Sequence, residues 1–174
     1  MSSTAEAASP DDVRTAVCDI LDQSHVLSLA TNRADGWPHV TMVNYLRIGP
    51  AIYFVIARES QKFSNIQRDD RVGIAVTASG RQGMLGLSIA ARVEEVAHPH
   101  QIAEINRAIF DRAAKSGFNP HPTSQLVAVM RARPEIITLI EYAEPPGRRR
   151  HFQAVEDWRL EPLEEEPAAR VVRP

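Results

Sequence analysis

Cysteine is nearly missing from this chain: Cys18 stands alone in 174 residues. A single thiol excludes an intrachain disulfide and the Cys-rich zinc sites. The first residues, MSSTAEAASPDD, have neither the basic start nor the apolar run of a signal peptide. No stretch reaches the ~18 consecutive apolar residues of a membrane span. These absences lead to the expectation of a protein of the reducing cytoplasm with no membrane partner. Charge of one sign is also lacking. The net charge is −2, which offers no electrostatic basis for binding nucleic acid or an anionic membrane. Lysine is scarce, since Lys62 and Lys115 are the only two among 20 basic residues. A lysine in a chain that otherwise uses arginine suggests a point-charge role. Finally, no glycine lies between Ile52 and Val72, so that stretch is neither a nucleotide P-loop nor a dinucleotide fingerprint.

What is present describes one domain. With 44% hydrophobic residues the chain can bury a sizeable core. Residues 1–8 read as a disordered N-terminus, 9–158 as the domain and 159–174 as a mobile tail, with Trp158 docked at its base. Ser9-Pro10-Asp11-Asp12 starts a helix, and Val13, Ala16, Val17, Ile20 and Leu21 give it one buried face. Cys18 lies at the edge of that face as a small packing residue. Strands follow at His25–Thr31, His39–Leu46 and Ala51–Ala57, separated by the turns Asp35-Gly36 and Gly49-Pro50. Such short connections make an antiparallel meander. The run Ile52–Ile56 is apolar at adjacent positions, which predicts burial on both faces and a second subunit to cover one of them.

A fourth strand, Arg71–Thr77, leads to a long fifth, Met84–Val96, where Gly83 and Gly86 predict a bulge or a close approach by another group. A second long helix runs from His98-Pro99 to Gly117, with Ile102, Ile105, Ile109 and Ala113 on one side. After the loop Gly117–Ser124 come strands Gln125–Arg131, Glu135–Tyr142 and Arg149–Gln153. Many strands with few helices predict a mostly β fold with flanking helices, closed into a small antiparallel barrel.

The chemistry concentrates between Ile52 and Val76: a strand, a short helix from Ser60, an Asp69-Asp70 turn and another strand. Ser60 caps the helix and Lys62 falls in its first turn. Free N–H groups, the positive end of the helix dipole and an ammonium converge there, which suits a phosphate. Arg58 either joins this anion site or ends its strand in water. His25 and His39 read as barrel-rim residues with no second ligand at metal-binding spacing, so no metal is expected. Trp37, Tyr45 and Tyr53 read as core, with stacking of one of them on a ligand ring as the alternative. Arg148-Arg149-Arg150 lies close to Glu141, Glu144, Glu156 and Asp157 and reads as a solvated or ion-paired face, not a nucleic-acid site.

The segments SHVLSLATNRADGWPHVTMVNYL, IYFVIARESQKFSNIQRDDRVGIAV, GMLGLSIAARVEEV and IITLIEY together resemble the pyridoxamine phosphate oxidase-like split-barrel flavoproteins. The resemblance covers roughly Asp11 to Gln153. It implies a split β-barrel and a homodimer with two FMN sites at the interface, each built from both chains. By position, Gln61 and Lys62 fall where the family grips the FMN phosphate, with Ser60 and Arg58 beside them. Thr41, Met42, Val43 and Asn44 fall on the strand along the flavin ring and ribityl chain, and Val55 and Ile56 on the next strand. Gln61 and Thr41 stand where vitamin B6 oxidases commonly carry arginine, and the Arg-x-His substrate signature of those enzymes is absent as such, since GRRRHFQ offers Arg149 and His151 in a different context. The resemblance therefore implies an FMN-dependent oxidoreductase acting on a small molecule that the sequence does not identify, and these departures weigh against a vitamin B6 oxidase. Its alternatives are a deazaflavin-dependent reductase and a non-catalytic flavin- or haem-binding carrier or sensor.

Overall fold

The first helix, α1 (Pro10–Gln23), begins on a proline and carries Asp11 and Asp12 in its first turn, both suited to a helix N-terminus. Its apolar stripe is buried as the spacing predicts, with Val17, Ile20 and Leu21 fully enclosed. The computed structural model describes residues 10–80, 83–115, 126–142 and 147–164. The expected disorder of residues 1–8, the Ser9 cap, the Gly117 helix stop and the loop Gly117–Ser124 lie outside these residues.

Among the described residues the remaining elements are β1 (Val26–Asn32), β2 (Pro38–Ile48), β3 (Ala51–Ala57), α2 (Gln61–Arg68), β4 (Arg71–Gly80), β5 (Gly83–Glu95), α3 (Pro99–Lys115), β6 (Val127–Glu141), β7 (Arg148–Val155) and β8 (Arg159–Leu163). The first three strands form the expected antiparallel meander. Gly36 and Gly49 supply the positive φ that its turns need. Neighbours in the sheet run β3-β2-β1-β4-β5-β6-β7-β8, and β6 also pairs with β3. That last pairing closes six strands into an antiparallel barrel and removes their free edges.

The barrel is split on β6. One edge of this strand pairs with β5, while the other pairs first with β3 through Val127–Ala132 and then with β7 through Ile136–Glu141. Two strands divided at Pro134 are expected here from the sequence, and the structure has one. Opposite Pro134 the register slips, Ala91 facing Pro134 and Ala90 facing Ile136. Such a bulge accommodates a residue with no N–H to give to the ladder.

Two apolar clusters result. Ile52, Phe54 and Ile56 point into the barrel with Leu27, Leu29 and Met130. Ala51 and Tyr53 point the other way, against Ile105 and Ile109 of α3. The two-sided burial of β3 is thus real, but α3 covers its second face. No subunit is needed for it, and this corrects the expectation drawn from Ile52–Ile56. Tyr45 is core, its hydroxyl donating to the Leu21 carbonyl at 2.6 Å and clipping the end of α1 to the barrel; Trp37, read with it as core, instead lies in the β1–β2 turn and is 71% exposed. At Gly86 the close approach is by Tyr142, whose ring would lie 3.3 Å from an added Cβ.

The C-terminal boundary also needs correction. Arg159–Leu163, assigned above to a mobile tail, is strand β8, paired along β7. Pro162 and the scattered glutamates disguise it, and an edge strand tolerates proline. Trp158 is buried and its indole N–H donates to the Pro50 carbonyl at the β2–β3 turn. Residues 165–174 lie outside the described part. Leu160 is 2% exposed, so Leu160→Ala is expected to destabilise the protein by about 2–5 kcal/mol in urea unfolding. An unchanged midpoint would mean that β8 is dispensable.

Candidate functional site

Helix α2 starts where its capping residue places it. Ser60 is extended (φ −76°, ψ 149°), and its Oγ accepts the Phe63 N–H at 3.3 Å while donating to the Ala57 carbonyl at 2.6 Å. The helix is therefore tied back to the end of β3. Lys62 is half-buried in the first turn. Among the described residues no carboxylate pairs with its ammonium.

Arg68, at the other end of the same helix, gives its guanidinium to the Asn32 carbonyl, and several arginines of the strands meet carboxylates. Arg58 bonds both oxygens of Glu95 and lies over the Phe63 ring, 5.5 Å from its centroid. The Glu95 carboxylate raises the Arg58 pKa, and the pair takes up the charge that otherwise joins the anion site. Arg71 bonds Asp69, and its guanidinium, helped by its backbone N–H and by Asn32, holds that carboxyl well below the usual carboxylate range. Arg92 bridges Asp70 and Glu135, and Arg131 engages Glu94. Lys62 is thus the unneutralised positive charge at the helix start.

The other residues expected at the site divide by the pleat of their strands. On β2, Val43 is buried in the barrel core and Thr41 lies on the same face, while Met42 is exposed and Asn44 half-buried on the opposite face. Four consecutive residues therefore do not line one surface. Ile56 points into the core and Val55 packs beside the second cluster, so β3 presents backbone more than side chain. The hydroxyl of Thr41 is buried without a hydrogen-bond partner, as is Nδ1 of His39 two residues earlier. A buried orphan of this kind costs ~1–3 kcal/mol, so it marks a place where a polar ligand atom is an asset.

Sequence reasoning missed two residues. Thr31 and Asn65 are 1% and 2% exposed, among the few buried polar side chains. Gln61 Nε2 donates to Asn65 Oδ1 at 2.8 Å, and Asn65 Nδ2 donates to Thr31 Oγ1 at 3.0 Å. Their signal is a polar residue at an inward position of an otherwise apolar pattern, visible once the faces of β1 and α2 are assigned.

The sequence profile of the family described as pyridoxamine 5'-phosphate oxidase matches residues 13–140. The chain belongs to the pyridoxamine 5'-phosphate oxidase family. Among solved structures, a haem-binding protein of Mycobacterium smegmatis shares the fold at a TM-score of 0.65 and 19% identity, over 86% of this chain and 60% of its own. This chain thus spans less than two thirds of that protein. A pyridoxamine 5'-phosphate oxidase-like protein of Listeria innocua has a TM-score of 0.59 at 20% identity, over 76% of this chain and 99% of its own. An FAD-binding protein of Mesorhizobium loti has 0.59 at 18%, over 72% and 91%. No curated protein matches significantly in sequence. At these identities the solved structures establish the split-barrel fold, which the haem-binding and the FAD-binding protein share with this chain.

Proposed function

We propose that this family member binds FMN between two copies of the chain and uses it in an oxidoreductase reaction on a small molecule. The observation that carries the reading is Lys62, an unneutralised ammonium in the first turn of a capped helix whose arginine neighbours are all engaged. That donor set fits a phosphate. In this reading Lys62 and the free N–H groups of α2 hold the phosphate, while Ser60, whose hydroxyl and backbone N–H both donate to Ala57, fixes the helix start that presents them. The backbones of β2 and β3 flank the ribityl chain and ring. The bound flavin supplies hydride transfer, so the protein's part is position and electrostatics, with no acid–base dyad required.

Dimerisation rests on the outer face of the sheet. Register places Met42, Ser28, Ala75, Ser88 and Thr138 in one row across five strands, and Val40, Ala30, Gly73, Ala90 and Ile136 in the next. Both rows are free of charge and small at the centre. Met42 and Val40 at one end are 65% and 59% exposed, and Ile136 at the other is 44% exposed. An uncharged sheet face of this extent, small at its centre and apolar at its ends, suits a second copy of the chain.

The absorption spectrum of the purified protein, alone and after addition of FMN, tests the cofactor. A yellow protein that retains FMN through gel filtration is expected. A Soret band would favour the haem-binding reading suggested by the mycobacterial relative, and a protein that takes up neither would favour a deazaflavin. Reduction of the bound flavin by a nicotinamide dinucleotide, followed by reoxidation with candidate acceptors, separates enzyme from carrier. Absence of turnover with every acceptor would favour the carrier.

A further inference from the structure

We infer that Thr31 and Asn65, which lie beneath the helix start, are positioning residues that set how tightly the site holds a phosphate. This rests on the phosphate reading of Lys62 and extends it to groups within the fold.

Helix α2 has eight residues, too few to be stable alone. Its placement therefore comes from what it touches. Ile66 is buried and Phe63 packs partly against the barrel core, but apolar contacts are non-directional and allow a short helix to roll or slide. The directional contacts are polar and converge on the end of β1. The amide of Asn65 donates to Thr31 Oγ1 at 3.0 Å, and the Thr31 hydroxyl in turn faces the His39 carbonyl of β2 at 3.4 Å. One turn back, Gln61 donates to Asn65 at 2.8 Å. At the far end of the helix the Arg68 guanidinium donates to the Asn32 carbonyl, and Asn32 donates to Asp69 at 3.0 Å.

A hydrogen-bond chain thus runs from the first residue of α2, through its buried face, to paired strands β1 and β2. Gln61 and Lys62 are adjacent, so fixing Gln61 fixes the backbone that aims the ammonium and the free N–H groups. The chain also joins α2 to the strand that carries the orphan Thr41 hydroxyl. Because Thr31 and Asn65 are almost wholly buried, water does not substitute for either partner, and a broken link leaves an unsatisfied group in the core.

The test compares FMN with riboflavin, which differ by the phosphate. In Thr31→Val the volume is kept and the acceptor for Asn65 is lost. FMN affinity is expected to fall about 10-fold, a coupling typical of neighbouring groups in one network, while riboflavin affinity changes less than about 2-fold. Thr31→Ser restores the hydroxyl at the cost of a methyl group and is expected to bring FMN affinity back to within about 3-fold of the parent. A purely structural role predicts no change in the FMN-to-riboflavin ratio, because both ligands meet the same folded protein. Asn65→Leu breaks both links and should show the same loss of ratio, with no further loss when combined with Thr31→Val; it also serves if Thr31→Val does not fold.

An unaltered ratio in folded Thr31→Val and Asn65→Leu would overturn the inference while leaving the phosphate site in place. A parent protein with no preference for FMN over riboflavin would overturn both.

Discussion

Lys62→Met is expected to fold normally and to lose FMN roughly 10- to 150-fold, while binding riboflavin about as well as the parent does. The charge-assisted bond from an ammonium to a phosphate is worth ~1.5–3 kcal/mol, and each ~1.4 kcal/mol is a decade in affinity. Methionine keeps much of the aliphatic stem, so the half-buried part of the side chain still packs. No neighbouring cation is free to replace the lost charge, because Arg58 is held by Glu95. Part of the attraction is long-range, so FMN binding to the parent should weaken as salt rises, with a shallower slope in the variant. Titration of both flavins into both proteins at two salt concentrations checks all of this. If FMN binds Lys62→Met undiminished, or riboflavin suffers equally, the phosphate lies elsewhere.

Ala75→Arg is expected to convert a dimer into a monomer. Ala75 is exposed on β4 between Ser28 of β1 and Ser88 of β5, at the middle of one of the two rows of the uncharged face. On one copy alone an arginine there extends into water and leaves the barrel core untouched. Across a two-fold interface it buries a charge without a partner, and each such charge costs ~3–5 kcal/mol. Two copies of the substitution meet, so the dimer should weaken by more than ~100-fold. Analytical ultracentrifugation at micromolar concentration gives the result directly, with circular dichroism to show that the fold persists. FMN should be lost together with the partner, since the proposed site draws on both copies. A parent that sediments as a monomer with FMN bound, or a variant that remains dimeric, would remove this face from the interface.

Much of the frame was legible in the residues. Alternation with turn signals at Asp35-Gly36 and Gly49-Pro50 identified the meander, and Ser60 placed the start of α2, because capping and turn chemistry act within a few residues of chain. Strand β8 was not legible: five residues that include a proline and a glutamate carry too little periodicity, and only pairing with β7 makes them a strand. Thr31 and Asn65 escaped notice for a related reason. Each is unremarked in its own segment, and their meaning lies in a contact across 34 residues.

The amino-acid sequence by itself determined the β-rich class, the buried stripes of α1 and β3, the capped helix with Lys62 in its first turn, and membership of the family. All of these follow from local periodicity, caps and turns, or from a recurring pattern of residues. Only the tertiary structure decided that β6 closes the barrel onto β3 and splits it toward β7, and that α3 covers the second face of β3. It also decided which charges remain free. Arg58 and Arg131 each find their glutamate 37 residues away. Such partners depend on how distant strands come together, which the 2.0 and 3.6 periods along a single segment do not encode.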